Sequence, residues 1–173
     1  IPLSGLDTSR IAVLSIGESL NNPFQMGLNR YAKVTSFSCG LKPSKQRQAA
    51  LLDSLSSFTQ VIVGIHTEEK NPFVNFGVSK QAISLVSTLA QRQPVVLDLF
   101  ANPYSLRRFN GIEHVQTIIV SYENDPMVQD ISSQLIFGGV AAKGKLPITA
   151  SGLFPAGVGM ETGAPVRFAY SFP

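Results

Sequence analysis

Four continuous apolar runs punctuate the chain, at residues 11–16, 61–65, 95–100 and 118–122. None alternates with polar positions. A half-exposed strand would alternate, so unbroken runs of this length read as strands buried on both faces of a parallel sheet. A weaker run at 34–38 predicts a fifth strand nearer an edge. Between the runs the apolar period lengthens to that of a helix. Ser44 is placed to cap a helix carrying Leu51, Leu52, Leu55 and Phe58. Ser79 is placed to cap one carrying Ala82, Ile83, Val86, Leu89 and Ala90, stopped by Pro94. A third follows Asp125, a good N-cap, with Pro126 at the first helical position, where its missing N–H costs nothing. Val128, Ile131, Leu135 and Ile136 fall at helical spacing there, and Gly138 or Gly139 can take the left-handed stop. The short segment 146–150 predicts one more strand, at an edge.

Strand and helix alternate from end to end. The predicted fold class is therefore α/β: a doubly wound, mostly parallel sheet of five to six strands, with helices on both faces and right-handed crossovers. This is a flavodoxin- or Rossmann-like three-layer sandwich, spanning residues 1–151. Residues 152–173, rich in Gly and Pro, read as a wrapping tail or linker. In such sheets the working loops lie beyond the carboxyl ends of the strands. Here those loops hold Glu18 and Ser19; His66, Thr67, Glu68 and Glu69; Asn102; and Glu123 and Asn124.

Composition narrows the partners. Charged residues make up 14% of the chain, against about 25% in an average protein. The net charge of +3 is mild, and Arg107-Arg108 is the only adjacent basic pair, so no nucleic-acid stripe is present. No apolar run is long enough to span a membrane. Cys39 is the sole cysteine, which excludes an internal disulfide and a thiolate metal cluster. The chain begins Ile1-Pro2-Leu3 with no initiating Met, as a piece of a longer protein would.

Several motifs come close to known chemistry and fail. Gly139 to Lys145 matches most of a phosphate loop, but Leu146 replaces the Mg²⁺-binding hydroxyl, the segment follows a helix, and Pro147 blocks the helix required next. Gly157, Gly159 and Gly163 lack dinucleotide-binding spacing. His66-Thr67-Glu68 echoes a zinc deaminase without the paired cysteines. No G-x-S-x-G elbow is present. No cofactor and no metal are expected. The loop His66-Thr67-Glu68-Glu69-Lys70-Asn71-Pro72-Phe73 carries the densest chemistry, two carboxylates and an imidazole at the end of a central strand. Such groups can supply a general acid, although a solvated charged loop is the plainer reading. Asp98, inside Val95-Val96-Leu97-Asp98-Leu99-Phe100, must find hydrogen-bond partners, because an unpartnered buried carboxylate costs several kcal/mol.

The closing stretch adds a resemblance. Ile136-Phe137-Gly138-Gly139 and Lys143-Gly144-Lys145-Leu146-Pro147 are similar to the end of the second domain of glycoside hydrolase family 3, a helix followed by Phe-Gly and a Gly-Lys-Leu-Pro turn. Ile1-Pro2-Leu3 resembles the segment leaving that family's barrel. Ile11 to Gly17 resembles its first strand and turn, and the run 95–102 with Pro103-Tyr104 its strand and Pro turn. The resemblance implies a preceding (β/α)₈ barrel of about 250 residues that carries the Asp nucleophile, and a carbohydrate substrate. In the β-glucosidase branch this domain lends a general-acid Glu from a Glu-x-Glu-Gly loop with a following Asp-Arg. Thr67-Glu68-Glu69-Lys70-Asn71 lacks both parts and looks like the β-N-acetylglucosaminidase branch, whose acid is a barrel His–Asp pair. Residues 166–173 resemble a linker toward the serine-hydrolase-like domain that some relatives carry. The resemblance further implies an exported enzyme, periplasmic or otherwise in the bacterial envelope. No catalytic residue is then expected in this chain. His66, Glu68, Glu69 and Asn71 are the candidates for facing the barrel and shaping a sugar pocket. The alternative is a free-standing flavodoxin-like module for a small ligand.

Overall fold

The computed structural model describes residues 1–3 and 9–163. Five parallel strands form one sheet: β1 (Ile11–Ile16), β2 (Val34–Cys39), β3 (Gln60–His66), β4 (Val95–Phe100) and β5 (Thr117–Val120), in the order β2-β1-β3-β4-β5. The weakly apolar run near 34–38 is an edge strand, as its composition predicts, but the strongly apolar run at 118–122 is not a central strand: β5 forms the opposite edge and only Ile119 in it is buried. Four α-helices connect and cover the strands: α1 (Pro23–Asn29), α2 (Lys45–Leu55), α3 (Lys80–Ala90) and α4 (Pro126–Ile136). Ser44, Ser79 and Asp125 each accept a backbone N–H at the helix start, as expected of them. Gly138 takes the left-handed stop after α4, at φ 81°.

Side chains alternate between two buried layers. Ala12, Leu14, Val61, Val63, Leu97 and Leu99 face α2 and α3, packing with Leu51, Leu55, Leu85 and Leu89. Val13, Ile62, Val96 and Phe100 face the other way, with Phe24, Leu28 and Ile136 of α1 and α4. Two layers on one sheet are the three-layer sandwich that the sequence predicts.

The structure departs from the sequence reading in other places as well. The segment 146–150 is not a sixth strand; Leu146 and Ala150 pack into the α2–α3 core as irregular backbone, with one bridge at Ser151–Phe154. Pro147 has no N–H to offer a ladder, and the segment instead pairs with the residues that return past it, through Leu146 N to Val158 O at 2.8 Å and Gly157 N to Leu146 O at 2.7 Å. Helix α1 was not anticipated, although Asn22-Pro23 repeats the cap-and-proline signature of Asp125-Pro126. Helix α4 is turned relative to its apolar spacing: Gln129, Ser132, Ser133 and Ile136 are buried, whereas Ile131 is 48% exposed. The polar requirements of the sheet face beneath it set that rotation.

Candidate functional site

The polar chemistry gathers on the α1–α4 side, at the carboxyl ends of β1, β3, β4 and β5. His66, the last residue of β3, is buried rather than displayed on the following loop. Its ring lies flat on Phe100 at a centroid distance of 4.5 Å and meets the edge of Phe24 at 5.9 Å. Gly64 makes room for it: a Cβ there would lie 2.4 Å from His66 Nε2.

Hydrogen bonds fix every proton in the cluster. The backbone N–H of Phe24 can only donate, so the Gln129 oxygen that receives it, 3.0 Å away, must be the amide carbonyl. Gln129 Nε2 then donates to Asn124 Oδ1 at 2.8 Å. Asn124 Oδ1 also lies 2.9 Å from His66 Nδ1, which must carry the imidazole proton. The Asn124 amide nitrogen is left to donate to Glu18 Oε1 at 2.9 Å, as a carboxylate requires. His66 Nδ1 thus carries a proton, and its buried Nε2 has no partner among the described residues, which favours the neutral imidazole. Burial lowers its pKa to about 4, against smaller opposing effects of the Asn124 hydrogen bond and the Glu18 charge.

Beside this cluster Asp98 lies opposite Gly64 in the β3–β4 register, with no exposed surface. Ser121 donates to its Oδ1 at 2.7 Å and Ser132 of α4 to its Oδ2. The expectation that buried Asp98 finds hydrogen-bond partners holds, and the partners are two serine hydroxyls. Burial raises its pKa to about 7, opposed by the Ser132 and Ser121 hydroxyls. The β5–α4 loop is therefore tied down twice, by Asp98 through Ser121 and by His66 through Asn124. Tyr122 between them is left-handed at φ 66° and 40% exposed.

The loop expected to carry the chemistry divides into residues that hold it and residues that it displays. Thr67 Oγ1 accepts from Glu69 N, Glu69 Oε1 from Asn71 N, and Asn71 Oδ1 from Phe73 N. Glu69 and Asn71 thus serve the turn itself. No hydrogen bond or ion pair from the described residues reaches Glu68, which is exposed. The backbone then runs left-handed at Asn75, Phe76 and Gly77, which leaves Phe73 88% exposed and stacks Phe76 on Tyr104 at 6.3 Å. Such backbone is rare outside glycine and gathers at functional loops. Of the four candidates, Glu68, Glu69 and Asn71 share this exposed loop, and His66 belongs to the buried cluster. Asn124 and Gln129, which complete that cluster, carry no distinguishing signal in the sequence, since each stands beside another polar residue. A cleft of about 910 Å³ along α3, lined among others by Lys42, Lys80 and Arg108, includes none of the cluster.

Strand order reverses between β1 and β3, and ligands of open α/β sheets enter at that switch point. In nucleotide-binding relatives of the fold the first helix offers its N–H groups to phosphate there. Here those groups have internal partners: Asn21 N bonds Gln25 Oε1, Phe24 N bonds Gln129 Oε1 and Gln25 N bonds Asn22 Oδ1. Glu18 follows β1 directly at this switch point, and its charge would repel an anion.

Fold and site together define a doubly wound α/β domain whose switch point presents a carboxylate in place of a phosphate cradle. No protein-family model matches the chain, and no curated protein does. Solved structures share its fold. A glycoside hydrolase family 3 β-N-acetylglucosaminidase from Paenibacillus sp. matches 76% of this chain at a TM-score of 0.60 and 17% identity. A fungal multi-domain family 3 β-N-acetylglucosaminidase matches 94% at 0.65 and 19%. A family 3 exo-β-xylosidase, solved with a xylobiose aziridine probe, matches 90% at 0.62 and 16%. The chain covers 25%, 17% and 23% of those three, so it spans a quarter or less of the enzymes it resembles.

Proposed function

We propose that this chain is the accessory α/β domain of a family 3 glycoside hydrolase. In this reading its carboxyl edge lies against a (β/α)₈ barrel and helps to enclose the sugar bound there. The observation that carries the reading is a likeness covering 76–94% of this chain and 17–25% of three family 3 enzymes. The closing word Phe137-Gly138 with Gly144-Lys145-Leu146-Pro147 supports it independently. Retaining hydrolysis needs two groups about 5 Å apart across the glycosidic bond, and the exposed loop provides Glu68 alone as an uncommitted carboxylate. The chemistry therefore belongs to the barrel, and Glu68 shapes the pocket from a loop that Glu69 and Asn71 hold in place. Phe73 is the surface this loop offers to a sugar face or to the barrel.

The substrate is a β-linked amino sugar and the reaction that of a β-N-acetylhexosaminidase, because the loop lacks the β-glucosidase acid motif. An extracytoplasmic location and a serine-hydrolase-like domain after residue 173 belong to the same proposal; the residues behind the latter, 166–173, lie outside the described ones.

Aryl glycosides test it. The full-length protein should release nitrophenol from 4-nitrophenyl N-acetyl-β-D-glucosaminide faster than from the glucoside or xyloside, and residues 1–173 alone should release none. Glu68→Gln should raise KM and leave kcat within about tenfold. On an unactivated N-acetylglucosamine disaccharide, a larger loss of kcat that is absent with the activated nitrophenyl glycoside would make Glu68 the general acid and refute the assignment of chemistry to the barrel.

A further inference from the structure

We infer that Glu18 is the preorganised carboxylate with which this domain grips its ligand, and that Asn124 and His66 are its positioning residues. The ligand class is a neutral polyol, a sugar ring presenting adjacent hydroxyls. The inference deepens the accessory-domain reading and rests on it.

Glu18 differs in kind from the carboxylates of the β3 loop. Glu69 is committed to its own turn and Glu68 is unsupported, whereas Glu18 is held from behind by a chain of donors anchored on a backbone N–H. Its side chain is half-buried, and only Oε1 receives a hydrogen bond from the described residues. Oε2 is an acceptor without a donor among the described residues, and burial keeps the His66 imidazole behind Asn124 neutral. No described cation pairs with Glu18. A half-buried carboxylate with one fixed and one open oxygen suits hydroxyl donors, and a fixed oxygen removes the ordering cost that a free side chain would bear on binding.

The backbone holds the residue in place as well. Gly17 is left-handed at φ 97°, and a Cβ there would lie 2.2 Å from the carbonyl oxygen of His66. Only glycine lets the β1 loop cross so close over the end of β3, and the crossing sets Glu18 at the β1–β3 switch point, where this fold class binds ligands. Leu20 and Tyr122, exposed in the loops that carry Glu18 and Asn124, supply apolar surface of the kind that faces a pyranose.

The experiment uses the full-length protein with 4-nitrophenyl N-acetyl-β-D-glucosaminide. Glu18→Gln keeps an acceptor for Asn124 and replaces the open oxygen with a donor. It should raise KM about tenfold, the worth of one hydrogen bond to a charged group, with kcat unchanged. Asn124→Leu frees Glu18 and should raise KM similarly, and the double variant should be no worse than either single one. Thermal melting checks that each variant folds, and Glu113→Gln serves as a remote control. An unchanged KM in Glu18→Gln would overturn the inference while leaving the accessory-domain reading intact. Additive effects in the double variant would overturn the positioning role of Asn124. No hydrolysis of any aryl glycoside by the wild-type protein would overturn the reading and this inference with it.

Discussion

Replacing Asp98 with Asn should change how stability depends on pH more than it changes stability at any one pH. Asp98 titrates near pH 7 in the folded chain and near 3.8 in its ordinary state. An acid whose folded pKa is raised binds its proton more tightly when folded. Its contribution is complete below about pH 3.8 and is lost as pH rises through 7. At 1.36 kcal/mol per pKa unit that loss is on the order of 4 kcal/mol. His66 works in the opposite sense. Its folded pKa is lowered from 6.5 to about 4, so its contribution is present above pH 6.5 and is lost as pH falls through 4. That amounts to roughly 3 kcal/mol on the same scale. The two windows overlap and the slopes oppose, so between about pH 4 and 6.5 the wild-type profile should be nearly flat. Asp98→Asn keeps a carbonyl acceptor and an amide that the serine oxygens can receive, and it removes the acid's slope. Urea unfolding from pH 4 to 8 should show the variant at least as stable as wild type at pH 8, and losing roughly 3 kcal/mol on acidification where wild type loses little. Parallel profiles for the two proteins would refute the argument, because they would mean that Asp98 does not titrate in this range.

The same geometry makes three further predictions. Gly64→Ala places a methyl 2.4 Å from His66 Nε2 and 3.2 Å from the Phe24 ring, and should cost about 1–3 kcal/mol in urea unfolding as the imidazole is displaced. Gln129→Leu leaves Phe24 N–H and one lone pair of Asn124 unsatisfied, and should lower stability by about 1–3 kcal/mol. Gly27→Ala meets Ser133 Oγ at 2.3 Å and its Cβ at 2.8 Å across the α1–α4 contact; thermal melting should show a loss that Ser133→Gly partly restores, whereas additive losses would mean that the helices separate freely.

The sheet was legible because the central strands β1, β3 and β4 are buried along almost their whole length and are built mostly of apolar residues, with Ser15, His66 and Asp98 as the buried polar exceptions; β5, an edge strand, is only partly buried. The helix starts at Ser44, Ser79 and Asp125 were legible because a cap is a local device, complete within four residues. The rotation of α4 was not, because apolar spacing treats Ile131 as a core residue and Gln129, Ser132 and Ser133 as surface. The opposite holds once Asp98 and Phe24 N–H must be satisfied, and those demands come from strands and loops that are distant in sequence. His66 was misplaced for a related reason. A histidine at the end of a strand reads as a loop residue until Gly64, two positions earlier on the same face, shows that there is a berth for its ring. The amide network was hidden because each member is an ordinary polar residue, and only the fold brings residues 18, 66, 124 and 129 together.

The textual resemblance acquires a physical basis from the same packing. Its opening word, Ile1-Pro2-Leu3, and its closing word, Ile136-Phe137-Gly138, stand at opposite ends of the sequence and could have matched by chance separately. In the structure they are one feature: Leu3 N donates to Ile136 O at 2.9 Å, and a Cβ on the left-handed Gly138 would lie 2.9 Å from Pro2 Cβ. The glycine is therefore required twice, by its φ and by the proline lying against it. Ile1 and Leu3 pack with Phe137 on the same core layer as α1 and α4, the layer that carries the Asp98 and His66 clusters. The segment that would lead in from a preceding barrel is thus fastened to the helix that supports the Glu18 edge. That helix also carries Gln129, which holds Asn124 and through it Glu18, so the opening segment and the Glu18 edge are fastened to one element.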